Sequence, residues 1–218
     1  MKKILGVFGA SGFGREVMPL ARDNKDFAES EFVFVDDNPV APELNGHRVL
    51  SYAEFVSGGG DKSIIVAIAD GIVRRSIEER CLKDGMKISR VTAASMVKMD
   101  EVEMGDGAII CPFVTLTSNI KIGRSFHANI YSYVAHDCEI GDYVTFAPGV
   151  KCNGNVRVEN NAYIGTGAII KQGKKSKPTV IGEGAIVGMG AVVTKSVPAG
   201  AVVVGNPAKP LGRKGLGG

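Results

Sequence analysis

From Met104 onward the chain repeats an apolar residue every sixth position. Met104, Ile110, Leu116, Ile122, Ala128, Val134, Ile140, Phe146, Cys152, Val158, Ile164 and Ile170 follow one another without a miss. Four positions after these anchors stands a second, smaller or branched series that includes Ala108, Val114, Ile120, Cys138, Val150 and Ala168. One position after some of them Gly105, Gly123, Gly141 and Gly165 supply glycine where a tight turn is expected. After a slip at Lys174 to Val180 the period resumes with Ile181, Val187 and Val193. One anchor per six residues describes short strands joined by turns, each strand one side of a coil and each anchor stacked inward. Three sides per coil make a triangular prism.

The first ninety residues carry a different pattern. Lys3 to Gly9 is an apolar run, Gly9-Ala10-Ser11-Gly12-Phe13-Gly14 a glycine turn, and Arg15 to Asp23 places Val17, Leu20 and Ala21 at helical spacing. A second strand, Glu31 to Val35, ends at Asp36-Asp37-Asn38-Pro39. Ser63 to Ala69 reads as a buried parallel strand, and Gly71 to Gly85 as a helix with Ile72, Ile77, Cys81 and Leu82 on its inner side. Alternating strands and helices predict a small parallel sheet. The expected architecture is an α/β Rossmann-like domain over residues 1–90, followed by an all-β parallel β-helix over 91–218.

Composition narrows the function classes. Lys and Arg number 26 against 23 acidic residues, a net charge of +3, too small and dispersed to predict a nucleic-acid surface. Apolar runs are too short for a membrane span or a signal peptide. Cys81, Cys111, Cys138 and Cys152 have no CxxC spacing, so a reduced, cytoplasmic chain is expected.

Chemistry is expected in two places. The glycine turn lets a backbone approach a phosphate at a helix N-terminus, and carboxylates at the end of the second strand, Asp36 and Asp37, can meet a ribose hydroxyl or a base edge. The spacing is GxxGxG rather than the dinucleotide fingerprint GxGxxG, so a plain turn and a solvated strand end remain open alternatives. In the coil, His136 stands beside Asp137 in VAHDCEIGD. A histidine with a neighbouring carboxylate can act as a general base. His47 and His127 are the other two histidines of the chain.

VFGASGFGREV and FVDDN in front of a hexapeptide coil, with HDCEIGD and GVKCNGNV inside it, resemble the sugar N- and O-acetyltransferases of the bacillosamine and sialic-acid type. The likeness is strongest from about Val97 to Pro207. It implies a left-handed β-helix, acetyl-CoA as cosubstrate, no metal, a homotrimer and an acceptor that is a nucleotide-linked amino sugar, commonly a 4-amino-4,6-dideoxy sugar of surface glycans such as lipopolysaccharide. By the same resemblance His136 is the base, Asp137 its acidic partner, and the Gly154 amide the donor to the thioester carbonyl. Gly12, Phe13, Asp36, Asp37 and Asn129 fall on substrate positions, and Thr166, Gly188, Met189 and Gly190 on backbone contacts to coenzyme A. Phe13 and Thr145 stand where many members carry histidine. Lys171, Lys174, Lys175 and Lys177 form a basic insertion that reads either as solvated surface or as attraction for the coenzyme's phosphates.

Four alternatives stay open at this level. A sugar hydroxyl, as in sialic-acid O-acetylation, could replace the amine. A zinc carbonic anhydrase on the same scaffold needs three histidines together, and only His127 and His136 lie in the coil. A nicotinamide oxidoreductase rests on the glycine turn alone. A nucleotide-sugar-binding scaffold without activity is the last.

Overall fold

The computed structural model describes residues 2–211, so Met1 and residues 212–218, the outer ends of the two expected domains, lie outside the described residues. The front segment opens with β1 (Lys3–Phe8), whose last four residues are buried. The glycine turn leads into α1 (Gly12–Arg22), then β2 (Ser30–Asp36), a hairpin of β3 (Glu43–Leu44) and β4 (His47–Ser51), α2 (Tyr52–Ser57), β5 (Asp61–Val66), α3 (Gly71–Lys83) and β6 (Lys87–Ile88). The sheet order is β3-β4-β2-β1-β5-β6, and only β3 runs antiparallel. Because both faces of β1, β2 and β5 are covered, their centres read as continuous apolar runs rather than alternating ones.

From Val91 the chain winds as a parallel β-helix with three faces. The first face stacks Val91–Thr92, Ile109–Ile110, His127–Ala128, Thr145–Phe146, Tyr163–Ile164, Ile186–Val187 and Val202–Val204. Its second face runs from Val97–Lys98 through Thr115–Leu116, Tyr133–Val134, Lys151–Cys152 and Ile169–Ile170 to Val192–Val193. The third holds Val102–Met104, Ile120–Ile122, Glu139–Ile140, Val156–Val158 and Thr179–Ile181. The six-residue anchors from Ile110 to Ile170 are all in the buried core, with Met104 packed at its lower end. The second series, four positions on, is buried as well.

Two expectations are corrected in detail. Gly105, Gly123, Gly141 and Gly165 are not where the chain turns left-handed. A Cβ there would stand 2.6–2.8 Å from a backbone nitrogen of the coil above, so glycine is required for close stacking. The left-handed residues come two positions later, at Gly107, Ser125, Tyr143 and Gly167. The inner side of α3 also differs, since Ile72 and Leu82 are exposed while Arg74, Glu78, Ile77 and Cys81 are buried.

The reason lies across the domain boundary. Arg74 Nη1 donates to the carbonyls of Ile68 and Ala69 and to Thr145 Oγ1, and its Nη2 donates to Ser125 O. Glu78 accepts from Ser125 Oγ at 2.5 Å and from Tyr143 Oη at 3.2 Å. Desolvation pulls Arg74 down to about 10, held up by Glu78, and burial raises Glu78. This network fixes the front domain on the first face of the prism.

Candidate active site

His136 sits at the edge where the second face turns into the third. The short strand Tyr133–Val134 ends just before it, and Asp137 takes the left-handed corner at φ 57°. That corner brings Asp137 Oδ2 to 2.7 Å from His136 Nδ1, with both side chains half exposed. A carboxylate there favours the tautomer with the proton on Nδ1 and leaves Nε2 to accept.

Gly154 occupies the same edge one coil further on. A Cβ on it would lie 2.6 Å from both Cε1 and Nε2 of His136, so the imidazole is packed directly on the Gly154 backbone. The Asn155 N–H donates to His136 O, and Gly154 O accepts from the Gly173 N–H. Among the described residues, nothing accepts from the Gly154 N–H. Asn153 braces this segment, donating to Ile170 O and accepting from Tyr133 Oη at 2.9 Å. Cys138 and Cys152 lie buried behind it.

The expected coenzyme contacts lie elsewhere. Thr166, Gly188, Met189 and Gly190 line the edge between the first and second faces, and Asn129 stands on that edge lower down, its Nδ2 donating to Phe146 O. The whole second face separates the two groups within one chain. Of the second face's outward residues, Thr115, Tyr133, Ile169 and Val192 are partly buried and Val97 and Lys151 exposed, whereas Glu103, Lys121, Glu139 and Arg157 on the third face are exposed.

At the front domain, Asp36 is committed to its own backbone: Oδ2 accepts from the Ala10 N–H and Oδ1 from the Asn38 N–H, each at 3.0 Å. Asp37 pairs with Arg80 Nη2 at 3.0 Å, and that guanidinium stacks 3.9 Å from the Tyr52 ring centre. Gly14 is required because a Cβ would strike Gly9 O, while Gly12 opens on empty space at the start of α1. Phe13 packs on His127, ring centres 5.4 Å apart. His127 is fully buried with neither ring nitrogen paired, and burial, then Arg74, holds it well below the usual histidine range. Thr145 is the acceptor for Arg74 and donates to Ala69 O. Lys174 and Lys177 close a tight hairpin, and Lys174 and Lys175 line a cavity of about 310 Å³ together with Asp137 and Asn155. Among the described residues, no group of three His, Cys, Asp or Glu is arranged to hold a metal ion, and no helix is long and apolar enough to cross a membrane.

Sequence reasoning missed Arg74, Glu78, Arg80 and Asn153. Only the charges on α3's apolar stripe hinted at the first two.

An exposed, oriented imidazole packed on a glycine with a spare amide, on a hexapeptide coil behind a Rossmann-like domain, defines a two-domain acyltransferase. Residues 4–81 match the PglD N-terminal domain and residues 119–154 the bacterial transferase hexapeptide (six repeats). GDP-perosamine N-acetyltransferase of Escherichia coli O157:H7 is 51% identical over 96% of this chain and 97% of its own length. Among solved structures, WeeI from Acinetobacter baumannii AYE is 59% identical with a TM-score of 0.93, covering 96% of this chain and all of that one. The acetyltransferase domain of PglB from Neisseria gonorrhoeae FA1090 in complex with acetyl coenzyme A is 29% identical with a TM-score of 0.85, over 96% and 99%. The chain belongs to the hexapeptide-repeat sugar N-acetyltransferases with a PglD-type front domain, and its prism is a left-handed β-helix. It is an enzyme that transfers an acetyl group from acetyl-CoA to the amine of a nucleotide-linked amino sugar. The relative that matches over nearly its whole length is named for an amine acceptor rather than a hydroxyl.

Proposed function

We propose that the acceptor is a nucleotide-linked 4-amino-4,6-dideoxy sugar, with GDP-perosamine the first candidate because the 51% identical relative bears that name. The observation that carries the catalytic reading is the stacking of His136 on Gly154, with Asp137 2.7 Å behind the imidazole.

His136 Nε2 takes the proton as the amine attacks the thioester carbonyl, while Asp137 holds Nδ1–H and stabilises the imidazolium. The unpaired Gly154 N–H donates to the developing oxyanion. The thiolate of coenzyme A leaves, and no covalent enzyme intermediate forms. The glycine turn takes the diphosphate at Gly12 and the start of α1, with Phe13 beside it. Asp36 shapes that turn, Asp37 lies nearest the base, and Asn129 meets the sugar.

Coenzyme A lies along the edge of Thr166, Gly188, Met189 and Gly190. Since His136 is on another edge, one ligand reaches both when two chains stand side by side, which favours a homotrimer with the second faces turned inward. Residues 1–90 and 91–218 divide the work between nucleotide and acyl transfer. A cytoplasmic place in lipopolysaccharide or other surface-glycan synthesis fits substrates made in the cytoplasm and four free cysteines.

The test is thiol release from acetyl-CoA with GDP-perosamine, uridine-linked 4-amino sugars, free amino sugars and sialic acids. Turnover with one nucleotide-linked amine, lost in His136→Ala, is the expected result. A hydroxyl acceptor alone would overturn it. Light scattering at about 69 kDa, three chains of 22.9 kDa, is expected for the assembly.

A further inference from the structure

The edge that carries Asn129 and Thr166 also carries two aromatic residues with no part in the account so far. Phe113 and Tyr131 stand at corresponding corners of successive coils, 55% and 63% exposed. Their rings are stacked, 5.1 Å between centres and 10° between planes. Both corners are left-handed, at φ 62° and 60°. A bulky side chain is strained there, and strain of this kind gathers at ligand clamps.

The same column continues upward through Gly149, Gly167 and Gly190, at φ 70°, 69° and 67°. Nothing lies within 4 Å of where a Cβ would be at Gly167 or Gly190. The corners of this edge are therefore free of side chains at three successive coils, above an aromatic ledge. Glycine is the unstrained residue at such corners, yet the two lower ones keep large rings facing water.

Height on the prism gives the ledge its meaning. Tyr131 and His136 flank the same short strand, Tyr133–Val134, so they belong to one coil. In a trimer whose axis runs along the prism, each coil stays level with its copies. Tyr131 of one chain then faces the cleft at the height of His136 of its neighbour, two residues from Asn129.

We propose that Phe113 and Tyr131 form the platform on which the acceptor sugar's ring rests, holding its amine level with the base; this rests on the nucleotide-amino-sugar reading above. A 4,6-dideoxy sugar presents C–H groups and a methyl, which suit the electron-rich face of an aromatic ring. Aromatic walls with a few polar groups, here Asn129, are the usual lining of small-molecule sites.

The test is steady-state kinetics of Tyr131→Asn, Tyr131→Phe and Phe113→Asn with GDP-perosamine, or whichever nucleotide-linked amine the wild type accepts, alongside light scattering. Asparagine tolerates the left-handed corner, so these variants are expected to fold and to keep the mass of the wild type. Tyr131→Asn should raise KM for the nucleotide sugar about tenfold while KM for acetyl-CoA stays within about twofold, and Tyr131→Phe should behave as wild type. Unchanged sugar KM in Tyr131→Asn, with normal wild-type turnover, overturns the platform alone. Loss of the assembly on substitution overturns it in favour of a contact between chains. A wild-type enzyme silent with every nucleotide-linked amine overturns the functional reading and the platform together.

Discussion

The imidazole of His136 lies on the backbone of Gly154, so close that a single added methyl would occupy the space of the ring's Cε1 and Nε2. The proposed base and the proposed amide donor are thus one unit, built from neighbouring coils. Replacing Gly154 with alanine should displace the ring without disturbing the core beneath. Turnover is expected to fall about a hundredfold, the usual penalty for misplacing a reacting group by roughly 1 Å. Circular dichroism and Tm should stay close to wild type, and full activity would contradict the arrangement.

His136→Ala removes the proposed base itself. A loss of about a hundredfold or more in kcat is expected, with a smaller change in the KM for acetyl-CoA. Residual turnover above about a tenth of wild type would remove His136 from the role.

Asp137→Asn should be milder. The pair with His136 is half exposed, and such pairs contribute up to about 1 kcal/mol, so kcat should fall by roughly fivefold. Asparagine accepts the corner's positive φ, which keeps the backbone as it is. A loss as large as that of His136→Ala would mean that Asp137 does more than orient the ring.

Domain attachment can be read through Arg74. Its guanidinium is buried and bonded across the interface, and removing one member of a buried charged network typically costs 3–5 kcal/mol, about that much for Arg74→Ala. Urea denaturation with the midpoint compared at pH 7.5 measures it. A shift worth less than about 1 kcal/mol would show that the packing, not the network, holds the domains.

His127 gives the pH dependence. Buried and held neutral, it takes up a proton in the folded state only well below 6.5, whereas the unfolded chain takes one up near 6.5. Its share of stability is complete above about 6.5 and is lost as pH falls toward its depressed folded value, at up to about 1.4 kcal/mol per pH unit. Glu78 acts oppositely, because its raised value means that the folded state gains on protonation at lower pH. Tm measured from pH 7.5 to 5.5 for wild type and His127→Leu separates the two. The variant should lose less on acidification, and parallel curves would exclude His127 as the cause.

The prism was legible in the chain because its physics is local: one anchor per six residues buries itself whatever lies outside. The front sheet's apolar strands were legible for a similar reason, and HDCEIGD pointed to His136 as the candidate base. Other features depend on what comes opposite. Ile72 and Leu82 matched a helical stripe, but the surface facing α3 offers Ser125, Tyr143 and Thr145, so Arg74 and Glu78 took the inside. Asp36 and Asp37 looked equivalent until one was tied to the Ala10 amide and the other to Arg80. That His136 and Met189 stand on different edges follows from counting anchors three to a coil, since each comes two residues after an anchor, Val134 on the second face and Val187 on the first.

The Arg74 network also bears on how freely such enzymes can be recombined. Its acceptors on the prism come from two neighbouring coils, Ser125 on one and Val144 and Thr145 on the next, matched to one helix of the front domain. A graft of another front domain onto this prism would succeed only if it brought its own arginine at that turn of helix, or if those three positions were rewritten with it. Expressed alone, the prism would present Ile109, His127 and Thr145 to water on an otherwise paired face. The two halves are therefore fitted to each other at this seam, and changing residues along the edges of the prism disturbs that fit less than exchanging a whole domain.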